Sequence, residues 1–246
     1  MWRVIRLSQQ TAFENMAIDE AISIGIAEKR SPPTIRFYKW SPSAVSIGYF
    51  QKIHDEVDVE RCRLSGIDIV RRRTGGGAVY HDSQGEITYS IICPESLFSK
   101  DIRASYSQVC SYIISGLLGI GIDPSFRPIN DIVVDGKKIS GSAQTRRSGV
   151  FTQHGTVLYK LDREKMFSLL KPSMSKLKDK GHKSFKDGVA CVTELCKATE
   201  NDLYDALLKS FTEDKAWMYD TLTELERQDV EALIIKYAGN EWNHSR

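Results

Sequence analysis

Three consecutive glycines, Gly75 to Gly77, follow three arginines and a threonine in the stretch "IVRRRTGGGAVYHD", residues 69–82. Each glycine weakens a regular helix or strand by about 1 kcal/mol, so the chain here must bend tightly or pass close to another group. Unencumbered backbone N–H groups in such a loop form an anion nest, and Arg71, Arg72 and Arg73 add charge-assisted donors suited to phosphate or carboxylate. A glycine-rich turn flanked by solvated arginines accounts for the same residues. The run is not a Walker loop, since no GKS or GKT follows, nor is it a GxGxxG dinucleotide fingerprint. Alternation along the entering strand points Arg71 and Arg73 one way and Arg72 the other.

The flanking elements set the fold class. "FENMAIDEAISIGIAEKR" places Phe13, Ala17, Ala21 and Ile24 at helical spacing before the breaker "SPP". "TIRFY" and "AVSIGY" read as neighbouring strands separated by "KWSPS". "VDVERCRLSG" reads as a helix ending at Gly66, and "IDIVR" as the strand that delivers the chain into the glycines. "EITYSIIC" is apolar on both faces, as a central strand would be, and a long helix is expected from about Ile102 to Leu118. In "DIVVDGKKIS", Asp135-Gly136 is a favoured two-residue type I′ turn, and "GVFTQHGTVLYKL" supplies another strand. From Asp162 the chain reads as helix and loop with no further strong strand. Leu203, Leu207 and Phe211 make one helical stripe; Leu225, Val230, Leu233, Ile234 and Tyr237 make another, with Thr223 and Glu226 as a capping box. The expected class is α+β, a mixed or antiparallel sheet with packed helices, in one domain over residues 1–246 with a helical section from about 198 to 246.

The hairpin carries the second candidate site. Lys137 and Lys138 are adjacent, so they lie on opposite faces of a strand, and the small residues of "SGSAQ" leave room for a ligand. A half-buried lysine suits a carboxylate or an α-phosphate; an exposed hairpin decorated with lysines is the plainer explanation. His81 and His154 sit beside small or acidic residues in "YHD" and "QHG", where structural hydrogen bonding and acid–base work both fit. Six lysines fall between Lys171 and Lys186, as in a solvated loop, a lid over a phosphate site or a dock for an acidic partner.

Composition narrows the class of partner. The 246 residues carry a formal net charge of only +2, which gives no support to a nucleic-acid binder. Five scattered cysteines make neither a CxxC nor a Cys/His metal spacing, and no apolar run is long enough for a signal peptide or a membrane span. A cytoplasmic protein is expected, with no nucleic-acid or membrane partner.

Taken in order, "NMAIDEA", "RRRTGGGAVYHD", "NDIVVDGKKISGSAQ" and "QHGTVLY" resemble the lipoate-protein ligase and octanoyltransferase superfamily, relatives of the biotin ligases, over nearly the whole chain. The resemblance implies a ligase-like α+β catalytic domain that holds an acyl-adenylate. It implies that Arg72 and the stretch Gly75, Gly76, Gly77, Ala78, Val79, Tyr80 and His81 line a lipoate and ATP pocket, that Lys138 is the catalytic lysine, and that Asp131 faces phosphate and its magnesium. The implied reaction activates lipoate with ATP and Mg2+ to lipoyl-AMP, then passes the lipoyl group to a lysine of an apo lipoyl domain. Carriers of that kind are the E2 subunits of 2-oxoacid dehydrogenases and the glycine cleavage H protein. No tightly bound prosthetic group is expected.

Cysteine-dependent octanoyltransferases of the same superfamily carry their nucleophile shortly before the lysine hairpin. The corresponding "DPSFRPINDIVVDGKK" has none, which favours the ligase. Against that, "PPTIRFYKWSPSAVSIGYFQ" is similar to the octanoyltransferase branch, so an octanoyl or lipoyl acyltransferase stands as the alternative. The resemblance also implies that the accessory domain of longer ligases, which follows an "EWN" sequence, is absent, and that a separate accessory subunit assists activation.

Overall fold

The computed structural model describes residues 1–171 and 185–245. The chain builds strands β1 (Trp2–Gln10), β2 (Thr34–Trp40), β3 (Ala44–Ile47), β4 (Asp68–Arg71), β5 (Val79–His81), β6 (Glu86–Pro94), β7 (Ser125–Arg127), β8 (Asp131–Val134), β9 (Lys137–Arg147), β10 (Val150–Leu158) and β11 (Trp217–Tyr219). Its helices are α1 (Ala12–Ala27), α2 (Ile53–Glu56), α3 (Val59–Leu64), α4 (Ile102–Gly119), α5 (Arg163–Leu169), α6 (Val192–Leu195), α7 (Glu200–Thr212), α8 (Glu224–Ala238) and α9 (Asn240–Asn243).

Eight strands form one mixed sheet in the order β11-β1-β2-β6-β10-β9-β8-β7; β3 stands between β4 and β5 in a separate three-stranded sheet. The α+β expectation therefore holds, and "EITYSIIC" is a central strand, paired with β2 on one side and β10 on the other. One expected strand pairing fails. β2 and β3 are not neighbours, because both edges of β2 are already taken by β1 and β6, and a strand has only two. β3 turns away at Ser41–Ser43 and finds its partners in β4 and β5.

The large sheet is covered on both faces. α4 and α7 bury Val109, Ile113, Leu117, Leu203, Leu207 and Phe211 against one face; α1 and α8 bury Met16, Ala17, Ile22, Val230 and Tyr237 against the other. Leu225, expected in the α8 stripe, is 53% exposed and lies outside the contact. Between its two layers α1 is buried nearly all round rather than along the expected stripe, and that envelops Asn15 and Asp19 as well as its apolar residues. Thr11 caps the helix: its hydroxyl accepts the Glu14 N–H while the Glu14 carboxylate accepts the Thr11 N–H.

α8 is held to the sheet by an ion pair. Glu226, in the capping box with Thr223, receives both terminal nitrogens of Arg3 at 2.6 Å, with each side chain at most 1% exposed. The small sheet makes a third core with α2, α3 and α5 through Val45, Ile47, Ile53, Cys62, Met166 and Leu169. Short parallel β11, beside β1, is a strand that the reading after Asp162 does not anticipate. The lysine-rich loop read over residues 171–186 lies almost entirely outside the described residues. Among the described residues no helix is long and apolar enough to cross a membrane.

Candidate active site

The two sheets meet at a cavity of about 250 Å³ whose walls are mainly apolar. One wall is the glycine loop and β5, contributing Gly76, Gly77, Ala78, Val79, Tyr80 and His81. The opposite wall is the β9 and β10 pair, contributing Lys138, Gly141, Ser142, Ala143 and Gly155 to Thr156. Trp40, Met16 and Tyr38 form the floor from the large sheet and α1, and Met166, Phe167 and Leu170 close one side. Of the residues singled out from the sequence, Arg72, Gly76 to His81 and Lys138 line this one cavity. Gly75 and Asp131 are not in its lining: Gly75 lies within the loop, and Asp131 stands behind Lys138.

Lys138 owes its place to the hairpin. Asp135 and Gly136 both take positive φ, +49° and +74°, as a type I′ turn requires. Lys137 is exposed, whereas Lys138 bends back so that its Nζ lies 2.6 Å from Asp131 Oδ1. Asp131 Oδ2 accepts from Arg127 Nη2 at 3.0 Å. Gly141, opposite Asp131 across the strand pair, is what lets the amine pass. A Cβ there would lie 2.3 Å from Lys138 Nζ and 2.4 Å from its Cε. The small residues of "SGSAQ", expected to admit a ligand, thus first admit the lysine itself.

The arginines divide as alternation requires, though the charge they meet in this structure is that of the protein. Arg71 turns away from the cavity. Its Nη1 donates to the carbonyls of Gly48, Tyr49 and Gln51, its Nε donates to the Trp242 carbonyl and its Nη2 to that of Asn243. The Arg71 N–H donates to Asn243 Oδ1 at 2.7 Å, and Trp242 Nε1 donates to the Arg71 carbonyl at 2.7 Å. Arg73 is 3.6 Å from Glu20.

Arg72 is buried beneath the glycine loop, where Nη2 donates to the carbonyls of Gly75 and Gly77 at 2.8 and 2.7 Å. Burial lowers its guanidinium to about 10, still charged at neutral pH. Between those two carbonyls Gly76 takes φ of +95°, and a Cβ on it would come within 2.8 Å of Arg72 Nη2. Gly76 is needed as glycine because the loop wraps an arginine.

Both histidines are buried in the walls. His81 Nδ1 lies 2.6 Å from Glu86 Oε1 and its ring stacks on Trp40 with centroids 3.8 Å apart. His154 lies 2.8 Å from Thr74 Oγ1 and 3.6 Å from Asp19. Burial holds the His154 imidazole below its ordinary value of 6.5 against the pull of Asp19. For Asp19 burial alone would raise the carboxyl, but His154 and Arg36 more than offset that and hold it below 3.8.

Sequence reasoning missed Asp19, Ser46, Thr74 and Glu86. Two signals were present: an acid inside the apolar helix "NMAIDEA", and a glutamate opening the otherwise apolar strand "EITYSIIC". Among the described residues no group of three or more His, Cys, Asp or Glu is placed to hold a metal ion.

A family model of the lipoyl protein ligase A/B catalytic domain matches residues 11–212. The octanoyltransferase LipM of Geobacillus kaustophilus (strain HTA426) is 36% identical over 276 residues, covering 100% of this chain and 99% of the relative. LipM of Bacillus subtilis (strain 168) is 32% identical, covering 100% of this chain and 98% of its own. Among solved structures, the bi-partite lipoate protein ligase of Thermoplasma acidophilum, described with its E2 lipoyl domain, superposes with a TM-score of 0.86. It is 31% identical and covers 98% of this chain and 96% of that one. A lipoate-protein ligase A bound with ATP gives a TM-score of 0.83 at 28% identity, covering 98% of both chains. With its glycine loop and hairpin lysine facing each other across one apolar cavity, the chain belongs to the lipoyl protein ligase A/B catalytic-domain family.

Proposed function

We propose that this protein transfers an octanoyl or lipoyl group to a lysine of a lipoyl carrier domain, with an octanoyl thioester on an acyl carrier as the leading donor. The observation that carries this reading is a mainly apolar cavity whose lining, among the described residues, has one amine, that of Lys138. A saturated acyl chain loses water along such walls while its polar carbonyl end meets the cation. The carrier lysine, as free amine, attacks the acyl carbonyl carbon. The carbon–sulfur bond breaks, the donor leaves as thiolate, and the new amide sheds the amine proton. Lys138 is the catalytic residue: it stabilises negative charge gathering on the carbonyl oxygen, with Asp131 fixing its position. The full-length octanoyltransferase relatives support octanoyl as the group transferred, and the E2 lipoyl domain of the Thermoplasma acidophilum system supports carriers of that class as acceptors.

A second reading, ATP-dependent ligation of lipoate, is favoured over transfer through an enzyme thioester by one observation. None of the five cysteines is among the residues lining the cavity, and burial pushes Cys62 up to about 11 and Cys93 and Cys110 up to about 12. Direct transfer or an acyl-adenylate needs no protein thiol, whereas a thioester on the enzyme does. On this reading ATP would lie along Gly75 to His81. Each oxygen of Asp131 already has a cation, so magnesium would enter with the phosphates rather than be held by the protein alone.

An apo lipoyl domain, incubated separately with octanoyl-acyl carrier protein and with ATP, Mg2+ and octanoate or lipoate, distinguishes the two by intact mass. One octanoyl group added from the thioester is the expected result. A gain only with ATP transfers the assignment to the ligase, and no gain with either donor overturns acyl transfer altogether.

A further inference from the structure

Arginine and the indole N–H can only donate hydrogen bonds, and that sets the direction of the bonds that Arg72 makes to the hydroxyls beside both histidines. Arg72 Nη1 donates to Ser46 Oγ and Arg72 Nε to Thr74 Oγ1, each at 3.1 Å. Each hydroxyl, having accepted there, keeps a hydrogen to give, and a ring nitrogen stands 2.8 Å away in both cases: His81 Nε2 beside Ser46, His154 Nε2 beside Thr74.

Beyond the rings lie acceptors. Glu86 Oε1, 2.6 Å from His81 Nδ1, accepts from Thr88, which in turn accepts from Trp40 Nε1. Asp19 Oδ2, 3.6 Å from His154 Nδ1, is an electrostatic neighbour of that ring rather than a hydrogen-bond partner and accepts from Tyr38 at 3.4 Å, while Oδ1 accepts from Arg36 and Ser90. A hydroxyl hydrogen given to Nε2 and a ring proton on Nδ1, facing the carboxylate, satisfy both ends of each ring at once.

We propose that His81 and His154 are positioning residues, each a neutral ring protonated on Nδ1, that act through Ser46 and Thr74 to hold Arg72 where it grips the carbonyls of Gly75 and Gly77. Arg72 is then the point at which two carboxylate–histidine–hydroxyl chains converge, one from β6 through β5 and β3, the other from α1 through β10. The grip shapes the glycine loop, and through it the cavity wall from Gly76 to Tyr80. The lowered His154 imidazole agrees with a neutral ring. Where its test reads turnover, the inference rests on the acyl-transfer reading above; where it reads the rings, it does not.

Long-range 1H–15N spectra of the 15N-labelled wild-type protein at pH 7 are the first test, with the two rings assigned by single His→Gln replacements. Both rings are expected to show a protonated Nδ1 and a bare Nε2. A proton on Nε2, or an imidazolium, in either ring overturns the proposal. Steady-state kinetics of Ser46→Ala and Thr74→Val are the second test. Loss of one hydrogen bond to a charged group is expected to raise KM for the acyl donor about tenfold with a smaller change in kcat. Thr74→Ser, which keeps the hydroxyl, is expected to restore the wild-type KM. Unchanged KM in both variants, or equal loss in Thr74→Ser and Thr74→Val, overturns the positioning role. A protein that turns over no acyl donor defeats the functional reading while the spectra still decide the tautomers.

Discussion

Two neighbouring lysines on one hairpin meet different fates, and a single replacement of each should separate them. Lys138→Ala is expected to lower kcat/KM for acyl transfer by about 100-fold, the scale of losing one donor to a developing oxyanion. Lys137→Ala, exposed on the other face, should stay within about threefold. Gly141→Ala tests the same amine from behind: its new methyl would fall 2.3 Å from Lys138 Nζ, a flexible tip that can move aside. Activity should therefore fall toward that of Lys138→Ala while the melting temperature is nearly unchanged; an unimpaired Gly141→Ala would mean that the amine is not required in this position. The opposite facing of Lys137 and Lys138 was legible because strand alternation is a local rule, as was the departure of Arg71 from Arg72. Thr74 is only two residues from Arg72, but the rest of what Arg72 faces was not legible: Ser46 and the two acids behind the histidines come from three different elements, β3, α1 and β6, and no local pattern links them.

At the scale of elements, the joint between α8 and β1 rests on charge in a dry place. Removing one partner of a buried ion pair leaves the other unsolvated, so Glu226→Ala is expected to destabilise the protein by about 3–5 kcal/mol in urea unfolding. A loss under about 1 kcal/mol would show that water reaches Arg3 in the variant. The capping box that placed Glu226 at the start of α8 could be read from Thr223 three residues earlier, but its partner is 223 residues away in sequence. Most helices and strands were similarly legible, since capping residues, periodicity and the Asp-Gly turn act over a few residues. The parting of β2 from β3 was not, because occupancy of both edges of β2 depends on where β1 and β6 lie. Three-residue β11 offers too short a period to detect.

For the whole molecule, acid is expected to act in two steps. His154 is held below 6.5 when folded, so the unfolded chain binds its proton more readily; stability is full above that value and declines as pH falls from 6.5 toward the folded pKa. Asp19, held below 3.8, is already charged there and adds a second loss only as pH falls through 3.8 and below. The titratable and charged groups facing this pair include Arg36, Tyr38, Arg72, His81 and Tyr237. Urea midpoints measured between pH 8 and pH 3 should show the first decline in the wild-type protein and not in His154→Gln; an identical profile in both would assign the upper step elsewhere.

The clasp of Trp242 and Asn243 on Arg71 has a consequence in time. Among the described residues the cavity wall extends along the chain no further than Val189, yet the bonds that finish β4 join residues 171 and 172 positions apart. A ribosome adding about 5–20 residues per second needs roughly 3–11 s to travel from Val189 to Asn243. At the start of that interval a nascent chain contains every described wall residue of the cavity but lacks α7 and α8, which cover the large sheet, and the bonds to Arg71. The strand that leads into the glycine loop is thus secured only after Asn243 has been made, long after the last described wall residue of the cavity.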